Sequence, residues 1–175
     1  AKIGDKIIIA KELVEDVMKE ISVLSFNSSN TLKGSDFAGT VLAHPLNNNG
    51  YEHEVLLLEA DFVTTDQGTG FVHIAPGHGA DDFELGRQNN LPIPETVSDN
   101  GILNSDLPLL GGLRVLKDNE IIADIMSEHN ALIGRGKLNH SYPHSWRSKA
   151  PLVFRTTPQW FISMTTNNLR DTSLK

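Results

Sequence analysis

Residues Gly68 to Phe83 read GTGFVHIAPGHGADDF, and the rest of the chain is best read outward from this run. Four glycines, at 68, 70, 77 and 79, fall within twelve residues. The backbone there must turn sharply or let another group approach closely. A short strand is expected over Gly70–Ile74, carrying His73, and a helix over Asp81–Gln88. The glycine-rich turn and the helix start expose N–H groups suited to anions or carbonyl oxygens. One acid of the Asp81-Asp82 pair suffices as an N-cap, and the helix dipole favours acids in that turn. The second acid is then free to bind a cation, for which an α-ammonium group is a natural candidate. Read alone, His73 is a hydrogen-bonded structural histidine of the strand. His78, flanked by two glycines, serves the loop.

Upstream, Lys2–Ile9 reads as a strand entering a helix on which Leu13, Val14, Val17, Met18 and Ile21 recur at helical spacing. A polar turn covers Asn27–Asn30. Strands are expected at Thr40–Ala43 and Glu54–Leu58 across the loop Pro45–Gly50, and again at Asp61–Thr65. Downstream, Asp99-Asn-Gly101 is a turn signal. A second amphipathic helix follows, capped by Asp118, with Ile121, Ile122, Ile125 and Met126 on one face. Prolines at 143, 151 and 158 forbid long helices near the C-terminus. Strands and helices alternate without a βαβ rhythm. The fold expected is therefore α+β, a partly closed, barrel-like mixed β-sheet with surrounding helices.

The chain has 175 residues, 39% hydrophobic and 21% charged, enough for one domain with its own core. The apolar runs are too short to span a membrane, and no secretory leader opens the chain, so no membrane partner is expected. The absence of cysteine excludes disulfides, a thiolate metal site and a cysteine nucleophile. The net charge of −7 conceals an asymmetry: residues 1–128 hold 21 acids against 8 bases, and residues 129–175 hold 7 bases against one acid. Tyr142, Trp146, Phe154, Trp160 and Phe161 lie among those bases, a composition that can neutralise phosphates and stack nucleobases. The same composition suits a segment that packs against another part of a longer protein, and a chain beginning at Ala1 is read as a piece of one. His73, His78, Asp81 and Asp82 are of metal-ligating type, but their spacing fits neither His-x-His-x-Asp-His nor His-Glu-x-x-His. Pro143 breaks the helix that would align His140 with His144. No metal is expected, and no Gly-x-Ser-x-Gly elbow or phosphate loop occurs.

The run GTGFVHIAPGHGADDF, together with HSYPHSWRSKAPLVFRTTPQWFISM from His140 to Met164, resembles the editing domain of bacterial-type class I isoleucyl-tRNA synthetases. Valyl and leucyl relatives carry Pro-Ala-His-Asp where this chain has Pro-Gly-His-Gly, which places it on the isoleucyl side. The resemblance implies the synthetase editing-domain fold over residues 1–140. Residues 141–175 become a return segment toward the synthetic core, packed on the same domain. It also implies an enzyme: post-transfer editing by hydrolysis of the ester of Val-tRNA(Ile). A synthetic site discriminates weakly against one missing methylene, so a second, smaller pocket must reject the error. His73 and Asp82 are then the catalytic pair. Asp82 holds the α-ammonium of the substrate, His73 excludes the larger side chain, and Gly77 and His78 contribute backbone.

The implied partners are the acceptor end of tRNA(Ile) carrying valine and the remainder of the parent synthetase, in the cytoplasm. Editing needs no cofactor; ATP and Mg belong to the parent's synthetic core, whose His-Ile-Gly-His and Lys-Met-Ser-Lys-Ser signatures do not occur here. Two features depart from the family pattern. The threonine-rich segment Thr-Thr-x-Pro-Trp-Thr is absent, and Ser145 and Ser148 stand where many relatives have cysteines. The alternative reading is a folded but catalytically incomplete fragment that only contributes to binding the tRNA acceptor end.

Overall fold

The Leu13–Ile21 stripe forms the inner face of the first helix of a computed structural model that describes residues 4–137 and 141–175. His140, which opens the second motif, and Lys2 and Ile3 of the expected first strand lie outside the described residues. A 3-10 turn at Lys11–Leu13 leads into α1, Val14–Glu20. Leu13 and Met18 are buried, Val14, Val17 and Ile21 are half-buried, and the charged residues between them face solvent. α1 ends in a Schellman arrangement: Ser22 takes positive φ, Val23 N–H donates to Met18 C=O (2.8 Å) and Ser22 N–H to Lys19 C=O (3.1 Å).

Two later helices stop the same way. α2, Ala80–Gln88, ends at Asn90, with Leu91 N–H donating to Gly86 C=O. α3, Asn119–Glu128, ends at Asn130, with Ala131 N–H donating to Met126 C=O. Asparagine tolerates the left-handed conformation better than most residues, so each acts as a local stop. Asp118 occupies the N-cap position of α3, as expected, but its carboxylate makes no cap bond. It turns back to accept from the N–H and the guanidinium of Arg114. These bonds hold the Asp118 carboxyl below its ordinary range. A short C-terminal helix, α4, covers Leu169–Ser173, and residues 141–165 are free of helix, as their prolines require.

Sheet structure differs from the expectation. β1, Val41–Ala43, pairs antiparallel with β2, Glu54–Leu56, in the register Val41↔Leu56, Leu42↔Val55, Ala43↔Glu54. Further pairing among the described residues consists of single bridges, two of them in a tight meander (Val97↔Leu103, Ile102↔Arg114) that turns at Gly101. Among the described residues, the runs 4–9, 61–65 and 70–74 do not join a sheet. The barrel-like closure expected from the sequence is therefore not seen among the described residues. The physical reason is that a strand exists only through its partner's ladder. The 70–74 run is extended with Phe71 and Val72 both exposed, and its neighbour Thr69 meets the chain start through Ala10 N–H (2.9 Å).

The core is thin. Among the described residues, Leu13, Met18, Leu46 and Val97 are its buried apolar side chains. Leu46, 1% exposed, is the deepest of them, although it lies in the polar-looking loop between β1 and β2. The chain exposes 14206 Å², against about 8,400 Å² for a compact monomer of its mass. Trp146, Trp160 and Phe161 contribute to that excess. No helix among the described residues is long and apolar enough to cross a membrane.

Candidate functional site at the glycine-rich loop

The glycine-rich run folds as a loop, Ala75–Gly79, that hands over directly to α2. His78 N–H closes a turn on Ala75 C=O (2.8 Å), and Phe83 N–H donates to Gly79 C=O (2.9 Å). Gly79 is the N-cap of α2 and has no side chain to satisfy the helix. Asp82 works across the junction instead: its Oδ2 accepts from the Ala75 N–H at 2.9 Å. A Cβ on Gly79 would lie 3.3 Å from the Asp82 carboxylate, so the glycine makes room for that fold-back. Of the two acids expected to share capping and cation binding, Asp82 is the half-buried one with a structural bond, and Asp81 is exposed. One bond occupies only one of the roughly four acceptor positions of a carboxylate. Asp82 therefore retains capacity for a cationic ligand while held in place.

α2 is pressed onto this loop. Gly86 is buried, and a Cβ there would come 2.7 Å from Pro76 Cγ. The outer face of α2 carries Glu84, whose carboxyl is lowered by hydrogen bonds from Arg87 and Gln88. That pair is solvent-exposed and adds little stability.

His78 does more than serve the loop. Its Nδ1 lies 2.8 Å from the carbonyl oxygen of Phe154 and its Nε2 lies 3.2 Å from Thr96 Oγ1. A carbonyl can only accept, so Nδ1–H donates to Phe154. The ring thus ties the glycine-rich loop to the C-terminal segment and to the meander. Arg155, next to Phe154, adds an ion pair with Asp99 at the meander turn. A cleft of about 220 Å³ opens between these parts, walled by Gly77, His78, Phe83, Phe154 and Arg155. A Cβ added at Gly77 would stand at ordinary van der Waals distance from Pro94 and Thr156, so the glycine that lines the cleft is not sterically required there. A larger cleft of about 500 Å³ near Phe161 and Leu169 is lined by no titratable group, so the smaller one is the chemical candidate.

His73 is exposed on the extended run leading into the loop. It lies near a group that sequence reading missed: His44, Tyr51 and His53, at the ends of the β1–β2 loop. His44 stacks on Tyr51 at 4.7 Å with an 18° interplanar angle and lies 5.1 Å from the His53 ring. Burial lowers the His44 imidazole, helped by the nearby charges of His53 and His73. The available signal was the hairpin itself, because residues flanking a hairpin loop are brought together by strand register. Among the described residues, no group of three or more His, Asp or Glu side chains is arranged to hold a metal ion. Ser145 and Ser148 stitch their own turn, with Ser148 N–H donating to Ser145 Oγ at 3.2 Å.

The loop thus feeds the N-terminus of α2, which carries the anchored Asp82 carboxylate and, through Ala80 and Phe83, lines the small cleft. The family described as leucyl-tRNA synthetase, editing domain, matches residues 5–108, which includes the whole glycine-rich run, and the chain belongs to that family. Its relatives are isoleucine–tRNA ligases. The chain is 47% identical over 170 residues to the ligase of Pelagibacter ubique, covering 97% of the chain and 19% of that protein. It is 44% identical over 183 residues to that of Gluconobacter oxydans, covering 98% and 19%. For Shewanella amazonensis the values are 43% over 168 residues, 96% and 17%. The chain thus spans about a fifth of the length of the curated relatives it matches.

Proposed function

We propose that this chain is the editing module of an isoleucine–tRNA ligase and hydrolyses the ester that links misattached valine to tRNA(Ile). The observation that carries the reading is the Asp82 carboxylate, pinned by Ala75 N–H in the first turn of α2, the helix whose Ala80 and Phe83 line the cleft. Held there, Asp82 pairs with the α-ammonium of an aminoacyl group and fixes the ester carbonyl toward the N–H-rich loop. The bond formed is between a water oxygen and the carbonyl carbon; the bond broken is the ester C–O. The departing ribose oxygen takes the proton, leaving free valine and intact tRNA. The ester is intrinsically labile, so positioning and carbonyl polarisation supply most of the acceleration, with the neighbouring ribose hydroxyl assisting. His73, on the run entering the loop, borders the side-chain pocket and excludes isoleucine. Gly77 and His78 lend backbone to the cleft, and no cofactor takes part.

The unpaired 70–74 run and the excess exposed surface support two further parts of the reading. The barrel-like sheet is completed by pairing with chain outside these residues, including the threonine-rich segment. Residues 141–175 return toward a synthetic core that covers Trp160 and Phe161. In the intact ligase, Asp82→Ala is expected to abolish clearance of Val-tRNA(Ile) while isoleucine activation stays normal. Retained deacylation in that variant removes Asp82 from the mechanism.

A second reading is favoured by one observation: Arg147 lies over the exposed Trp146 ring at 5.0 Å, within a basic, aromatic C-terminal segment. On that reading the chain only helps dock the tRNA acceptor end. It predicts RNA binding that weakens steeply with salt, without turnover.

A further inference from the structure

We propose that His44, Tyr51 and His53 form an acid-sensitive latch that holds the 44–51 turn against the Leu107–Pro108 loop while His44 is neutral and releases it when His44 gains a proton. The latch is built from bonds on both sides of the turn. Leu46 N–H donates to His44 Nδ1 at 3.0 Å, so that nitrogen carries no proton and the neutral ring bears its hydrogen on Nε2. Leu46 is the deepest side chain of the core, so this bond fixes the segment that plugs the core. At the other end, Tyr51 OH donates to the Pro108 carbonyl at 2.8 Å, and Gly50, at φ +92°, packs directly on the Pro108 ring. The His44–Tyr51 stack couples the two ends.

A proton on Nδ1 turns the acceptor of the Leu46 N–H into a donor, so that bond cannot survive. The new charge arises 5.1 Å from the His53 ring and within electrostatic reach of His73. The Tyr51 face attracts a cation and so opposes release. Burial and the two neighbouring imidazoles outweigh that attraction, since the His44 imidazole lies below its ordinary range. Tyr51 itself stays neutral, its phenol raised by burial. The remaining charged group at the turn, Glu52, holds the Gly50 N–H at 3.1 Å. The sign follows from linkage. The released turn, with His44 at its ordinary value, binds the proton more tightly than the latched one. Latching is thus complete above the ordinary imidazole range and is lost as pH falls through and below it. The latch requires no substrate and does not rest on the hydrolytic reading.

The test is hydrogen–deuterium exchange by mass spectrometry on the intact protein, corrected for intrinsic rates, from about pH 8 to about pH 5. Peptides covering 44–51 and 107–112 are expected to lose protection together, by about fivefold to tenfold, as pH falls. His44→Asn keeps a side-chain acceptor for Leu46 N–H but cannot titrate in this range; its protection should be independent of pH. His53→Gln removes one neighbouring charge and should move the transition to higher pH with the same plateau. Wild-type protection that does not change with pH overturns the proposal, as does an equal acid response in His44→Asn. If His44→Asn fails to fold, His53→Gln decides: an unmoved transition refutes the latch, and an upward shift supports it.

Discussion

Gly86→Ala tests how tightly α2 is pressed onto the glycine-rich loop. In an open helix interior this change adds about 1 kcal/mol of stability through helix propensity. Here the added methyl would lie 2.7 Å from Pro76 Cγ and 2.8 Å from Pro76 Cβ. A proline ring has no free rotamer to swing aside. Its neighbour Ala75 is tied to Asp82 on the same helix, so loop and helix cannot separate without breaking that bond. Overpacking of this kind costs about 1–3 kcal/mol, which exceeds the propensity gain and leaves a net loss on the order of 1 kcal/mol. Urea unfolding of wild type, Gly86→Ala, Pro76→Ala and the double variant measures both terms. Removing the ring relieves the clash, so the double variant should be more stable than the sum of the singles by about 1 kcal/mol or more. A Gly86→Ala protein stabilised by the full propensity gain, with no coupling to Pro76→Ala, would refute the close packing.

Leu46→Ala removes the deepest side chain of a thin core and should cost about 2–4 kcal/mol, read as a drop in urea midpoint at unchanged slope. Asp118→Asn should change the acid response. The Arg114-bound carboxylate has a lowered folded value, so its contribution is present above the ordinary carboxylate range and is lost as pH falls through the folded value. Wild type should thus unfold at higher urea than the variant near neutrality and converge with it in acid; parallel pH profiles would count against the Arg114 interaction. His73→Ala in the intact ligase should lose selectivity and deacylate correctly charged Ile-tRNA(Ile), and unchanged selectivity would dismiss its gatekeeper role.

Helices α1, α2 and α3 were legible because their signals are local. The stripe Leu13–Ile21 and the first-turn acids of α2 act within a few residues of themselves; the stops at Asn90 and Asn130 are equally local but were not read from the sequence. The turn at Gly101 was equally legible. Pairing was not. The run 70–74 has the composition of a strand, but composition names no partner, and the meander at 97–114 was overlooked because its bridges join short segments. Leu46 shows the same limit for burial: the Asn-rich loop around it reads as polar, yet the hairpin folds that one leucine inward. At the site, the motif singled out Asp82 and His73 but not what anchors them. That Asp82 would reach back to Ala75 depends on a glycine at 79, and that His78 would bridge Thr96 and Phe154 depends on segments 18 and 76 residues away.

The most direct measurement of the central claim is the rate at which the intact ligase deacylates purified Val-tRNA(Ile) beside Ile-tRNA(Ile). The account predicts rapid loss of valine, sparing of isoleucine, and loss of the difference when Asp82 is replaced by alanine. Equal rates on the two substrates, or a valine rate that survives the replacement, would contradict it.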